Sequence, residues 1–157
     1  MSVPRVIEEF LNGRGVRYST LTHTAAFTAQ QETAAAHVPG REWAKTVVCF
    51  AGDESILAVL PAPCSIDESQ LRRLAGTDSV RLAREGEFAS LYPESELGAM
   101  PPLGPFYGQR VLVDVSLTHN PEIVFQAGTH TDAIRMQYRD FEQLVHPLVG
   151  EFTRRPS

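Results

Sequence analysis

Lysine is nearly absent from this chain: of its 14 basic residues, 13 are arginine and one is Lys45. Codon preference accounts for the general choice of arginine and not for the exception. Lysine offers a compact ammonium that rotates and can lose its proton when buried, whereas arginine offers a rigid fork that stays charged. The lone lysine marks either a position where arginine fails or a chance survivor, and composition alone leaves both open. Cysteine is scarce as well. Cys49 and Cys64 form no Cys-x-x-Cys pair, fit a reducing compartment, and are too few for a structural zinc site. No apolar run approaches the roughly 18 residues of a membrane helix. Glu8 and Glu9 interrupt what would be the apolar core of a secretory signal, so the expectation is a cytoplasmic protein with no membrane contact.

Several motifs are missing too. There is no His-x-x-x-His spacing, no Gly-x-Ser-x-Gly elbow, no P-loop and no dinucleotide fingerprint. The expectation is therefore no metal, no cofactor and no activated serine. The net charge of −5 argues against a broad basic footprint for duplex DNA, while leaving room for a pocket that grips one or two phosphates.

What remains is the composition of a folded protein. With 157 residues, 43% of them apolar and 21% charged, the chain has the length and core material of one domain, 1–157. Val6, Ile7, Phe10 and Leu11 form one stripe of a helix over 4–12, with Pro4 suited to its first turn and Gly13 to its end. Residues 16–21 read as a strand. Thr28-Ala29-Gln30-Gln31 is a capping box opening an Ala-rich helix to about residue 37. Residues 44–51 and 55–60 form a hairpin about Gly52-Asp53-Glu54. Ser65-Ile66-Asp67-Glu68 is a second capping box, for a helix that carries Leu71 and Leu74 and stops at Gly76. A short strand over 79–83 and a short helix over 85–91 follow. Strands at 110–115 and 122–127 flank a turn at His119-Asn120-Pro121. A loop at 128–132 leads to a last strand, 133–137, and a closing helix, 138–145. This order predicts an α+β fold, a mixed sheet or open barrel with helices packed outside.

Three segments have the makings of a site. Lys45 begins a strand that otherwise looks buried, although a lysine there can also snorkel to the surface. The run Met100-Pro101-Pro102-Leu103-Gly104-Pro105-Phe106-Tyr107-Gly108 is stiff at its prolines and bare at its glycines. Such a loop can hold backbone N–H groups at fixed angles, or simply link two elements. Gly128-Thr129-His130-Thr131-Asp132 offers two hydroxyls, an imidazole and a carboxylate, and equally reads as turn chemistry.

Taken in order, these pieces resemble the YbaK/ProX family, the free-standing relatives of the editing domain inserted in bacterial prolyl-tRNA synthetases. The matching pieces are His23, Thr28-Ala29-Gln30-Gln31, Ala44-Lys45-Thr46-Val47-Val48, Leu60-Pro61-Ala62, Gly98-Ala99-Met100-Pro101-Pro102-Leu103-Gly104 and Ala127-Gly128-Thr129-His130. The resemblance implies an aminoacyl-tRNA deacylase that hydrolyses the ester at the acceptor end of misacylated tRNA. It implies that Lys45 holds phosphate or orients that end, and that backbone around Gly104 positions the acyl carbonyl. His130, with Gly128 and Thr129, would line the amino-acid side. His23, Thr28, Thr46, Pro102, Leu103 and Pro105 would complete the substrate contacts. Alanine-clearing relatives often carry Asn where this chain has Thr46, and cysteine-clearing ones a basic loop where it has Gly128-Thr129-His130-Thr131. Neither the acyl group nor the oligomeric state is specified. A binder of nucleotides or aminoacyl adenylates on the same fold is the competing expectation.

Overall fold

The computed structural model describes residues 2–26 and 28–155, so Phe27 and the extreme ends of the expected 1–157 unit lie outside the description. The chain runs α1 (Arg5–Gly13), β1 (Tyr18–Thr22), α2 (Ala29–Ala36), β2 (Ala44–Ala51), β3 (Glu54–Pro61), β4 (Ser65–Ile66), α3 (Glu68–Ala75) and β5 (Val80–Leu82). It continues with α4 (Glu85–Phe88), α5 (Gly104–Tyr107), β6 (Arg110–Asp114), β7 (Glu122–Thr129), β8 (Asp132–Gln137), α6 (Tyr138–Val145), β9 (Leu148–Gly150) and β10 (Thr153–Arg154).

The larger sheet has the order β5-β2-β3-β6-β9 and is mixed: β2 pairs antiparallel with β3 and β5, while β3–β6 and β6–β9 are parallel. A second, antiparallel sheet has the order β1-β8-β7, and β10 pairs with β4. This is the mixed-sheet α+β architecture that the element order predicts. Strand β3 is central because both of its faces are apolar. Leu57 and Val59 pack into the core beneath α1 and α6, and Ile56, Ala58 and Leu60 pack into the core against Leu71 of α3. Side chains alternate across a strand, so one segment serves two cores. Each of the fully buried Leu, Ile and Val side chains contributes roughly 1.5–3 kcal/mol.

Four local readings are revised. The second cap is Asp67, whose carboxylate accepts the Gln70 N–H at 3.1 Å; Ser65 belongs to β4 instead. Ser and Asp are both good N-caps, and pairing with β10 decides between them. Residues 115–119 form a 3-10 turn, capped when Asp114 accepts the Ser116 N–H. The segment 128–132 is no open loop, because β7 runs through Thr129 and turns tightly into β8, with a register shift between Gln126 and Thr129. Finally, 133–137 does not close the sheet. Strands β9 and β10 follow α6, and runs of three and two residues carry too little periodicity to be read in advance.

The two sheets share the core beneath α1 and α6, and a backbone bridge also joins them. Trp43, just before β2, makes a parallel bridge with Val124 of β7. Around that seam Val38, Trp43, Ala62, Val124 and Ala133 form a third apolar cluster.

Candidate active site

Beside the Trp43–Val124 seam lies a cavity of about 150 Å³. Lys45 and Thr46 line it from the start of β2, Glu32 from α2, Gln126 from β7, and Gly98 and Met100 from the irregular segment. Lys45 lies opposite Leu60 in the β2–β3 ladder and is half-buried. Burial pushes its ammonium below the ordinary lysine value, and the neighbouring Cys64 and Glu32 partly oppose that.

Glu32 is placed by its helix. Thr28 Oγ1 accepts the Gln31 N–H at 3.1 Å, and the Glu32 N–H bonds the Thr28 carbonyl at 2.9 Å. The cap thus starts α2 so that its first-turn acid faces inward, where Glu32 is 7% exposed. Burial pushes its carboxyl up to about 7, with Trp43 and Lys45 drawing it partly back. Lys45 and Glu32 share the cavity but do not close to the 4.0 Å of an ion pair.

Two further wall residues carry buried polar atoms. Trp43 and Gln126 are 0% and 5% exposed, and among the described residues neither Trp43 Nε1 nor Gln126 Nε2 has a hydrogen-bond partner. The indole N–H lies near enough to the Glu32 carboxyl to favour its charge, without the geometry of a well-formed hydrogen bond. Behind them, His23 Nδ1 is 2.7 Å from the Thr24 carbonyl, and Nε2 is 3.0 Å from Gln126 Oε1. Nδ1 must donate to that carbonyl, so in a neutral ring Nε2 is an acceptor. Amide nitrogen and oxygen are interchangeable by shape, and turning the Gln126 amide lets it donate to His23. In either setting, one buried amide atom of Gln126 faces the cavity unpaired.

The expected residues separate into those that line the cavity and those that build it. Lys45 and Thr46 line it. His23 supports it, through Gln126 and an edge-on contact with Trp43 at 6.0 Å between ring centres. Thr28 is an exposed cap. Gly104 is packed elsewhere: a Cβ there would stand 2.4 Å from the Gln109 carbonyl oxygen. Pro102 and Leu103 are buried and Pro105 is exposed, and none of them lines the cavity. His130 sets its ring nitrogens 3.1 Å from the Ala26 carbonyl and 2.8 Å from the Leu97 carbonyl, and its N–H donates to Glu96. Gly128 bonds Ala99 and Glu96 through its backbone. Together they stitch the 96–99 segment to the β7–β8 hairpin, which presents Gly98 and Met100 to the cavity. Thr129 donates to Asp132 within the hairpin.

Sequence reasoning missed Glu32, Trp43 and Gln126. Each had a signal: an acid on the inner side of an Ala-rich helix, the chain's only tryptophan, and one amide inside the apolar run Ile123-Val124-Phe125-Gln126-Ala127. A larger groove of about 740 Å³, with Arg14, Arg17, Arg135 and Arg139, lies at the other end of the β1-β8-β7 sheet. It holds no unpaired buried polar atom among the described residues. Among those residues no three His, Cys, Asp or Glu side chains cluster as metal ligands, and no helix is long and apolar enough to cross a membrane.

An α+β domain whose single lysine shares a small cavity with a buried acid is thus defined at the seam of two sheets. The chain belongs to the aminoacyl-tRNA editing domain family, whose sequence pattern matches residues 23–144. Among solved structures it is similar to the hypothetical protein APE2540, at 22% identity over 94% of this chain and 99% of that one, with a TM-score of 0.83. It is also similar to a protein described as a candidate trans-editing enzyme for prolyl tRNA synthetase, at 21% identity over 96% of both chains, with a TM-score of 0.80. A signal transduction candidate from Marinobacter aquaeolei VT8 matches 94% of this chain but only 30% of its own length, at 16% identity and a TM-score of 0.73. These likenesses establish the fold, in agreement with the YbaK/ProX resemblance. No curated protein matches the chain by sequence.

Proposed function

We propose that the protein is an aminoacyl-tRNA deacylase that works in trans in the cytoplasm, hydrolysing the ester at the acceptor end of misacylated tRNA. The observation that carries this reading is a half-buried ammonium, Lys45, in a cavity of about 150 Å³ within an editing-domain fold. A cavity of that size suits one small acyl group. A positive charge held in partly dehydrated surroundings favours the negative charge that develops on an ester oxygen as it is attacked. Cys64 lies close to Lys45, but burial pushes its thiol up and away from thiolate. The attacking group is then water or a substrate hydroxyl. Such a second hydrolytic pocket is needed because a synthetase separates side chains that differ by one methylene by only about 1–3 kcal/mol.

The test is deacylation of a panel of misacylated tRNAs. Wild type should clear one or a few of them. Lys45→Ala should lower the rate by roughly 100-fold or more, without lowering the melting temperature. Lys45→Arg should fail similarly if a compact ammonium is required. Equal rates in all three proteins remove Lys45 from the mechanism. No clearance by folded wild type, with thermal stabilisation by aminoacyl-adenosine analogues, leaves a ligand-binding module in place of an enzyme.

A further inference from the structure

Lys45 gives one side of the cavity a task and leaves the facing carboxyl without one. Glu32 is 7% exposed, and an acid so far from water normally closes onto a cation or a set of donors. Here it forms no ion pair: Lys45 lines the same cavity and stays beyond 4.0 Å. The Trp43 N–H lies near enough to favour the carboxyl's charge without closing a well-aligned hydrogen bond. Gln126 presents its unpaired amide atom from the other sheet, and Gly98 and Met100 line the third side. Among the described residues, Lys45 is therefore the one other charged group that lines the cavity, with Cys64 near it. A cation, an acid and two buried polar groups thus line one space with no ion pair between the two charges.

We infer that Glu32 is the general base of the deacylation, taking a proton from the water that attacks the ester carbonyl. This rests on the deacylase reading above. The water oxygen bonds to the carbonyl carbon as its proton passes to the Glu32 carboxylate, and the carbonyl π pair moves onto oxygen, facing the Lys45 ammonium. The tetrahedral centre then expels the ribose oxygen, breaking the ester C–O bond. Glu32 returns the proton to that oxygen, leaving free amino acid and a deacylated acceptor end. A base whose pKa lies near the working pH serves both transfers. The Glu32 carboxyl, held up to about 7 by burial, meets that condition.

The experiment is single-turnover deacylation of the best tRNA substrate between about pH 5.5 and 9, for wild type, Glu32→Gln and Glu32→Asp. Thermal melting provides a folding control. The wild-type rate should rise with pH to a plateau with its midpoint near 7. Glu32→Gln should fall by about 100-fold or more, keep its tRNA affinity within about threefold, and lose the midpoint. Glu32→Asp should keep a titrating step and an intermediate rate, and it carries the test if Glu32→Gln does not fold. A Glu32→Gln rate within about threefold of wild type, or an unchanged midpoint, overturns the inference and leaves the deacylase reading standing. So does a loss confined to tRNA affinity. No turnover by wild type overturns both.

Discussion

Glu32 shows how much a functional group costs the protein that holds it. Folding lifts its carboxyl from 4.5 to about 7. Between those values the folded protein keeps the proton and the unfolded chain releases it. The burial is therefore free of electrostatic cost at pH 4.5 and below, and its cost grows as pH rises to 7, reaching at most about 3 kcal/mol above that. Glu32→Gln should accordingly unfold at higher urea than wild type at pH 8, and at nearly the same urea at pH 4.5. An equal difference at both values would mean that the carboxyl is not desolvated. Lys45 carries a cost of the same kind, since burial lowers its ammonium below the ordinary value. Two groups that each oppose folding and form no ion pair with one another have the environment of a functional site.

At the scale of elements, the acid is aimed by a cap and the cavity rim by a hairpin. Thr28 both starts α2 and fixes its first turn, one turn before Glu32. Thr28→Ala should cost about 1 kcal/mol, or roughly 2–4 °C of melting temperature in a domain of this size. It should also slow deacylation, though less than Lys45→Ala does, because Glu32 loses alignment and not its chemistry. Calorimetry and single-turnover rates read the two effects separately. In the β7–β8 hairpin, the His130 ring lies between two carbonyl oxygens from different segments. That sets the ring between Ala26 and Leu97, one step removed from the cavity that it shapes.

For the whole molecule, the net charge of −5 limits how RNA can be held. A protein that grips only the single-stranded end neutralises few phosphates, and the salt dependence of binding scales with that number. Raising salt from about 50 to 200 mM should weaken tRNA binding by about tenfold or less, against the 10³-fold or greater loss of a protein with many phosphate contacts. A steep slope would point to a second contact surface. The architecture also sets the cavity's position. The seam at Trp43 and Val124 joins the mixed sheet to the antiparallel one. The cavity wall thus draws on both sheets and on α2.

Much of this was legible in the residues themselves. The Thr28 cap, the hairpin about Gly52, the apolar alternation of β3 and the lone Lys45 are local facts, written by hydrogen-bonding residues and by period-two or period-3.6 patterns within a few residues. The order of such pieces was enough to specify the α+β class and the family. Local pattern was not enough to decide that Glu32, Trp43 and Gln126 meet. Gln126 is more than eighty residues from either of the others, and the parallel bridge that brings it there has no sequence period of its own. Nor could composition decide that Gly104 packs against Gln109 while Gly98 faces the cavity, since a glycine looks the same in both roles until its neighbours are known. The sequence by itself determined the elements and their chemistry. Tertiary structure alone decided which polar groups were left unpaired together, because burial and pairing are properties of the packed chain.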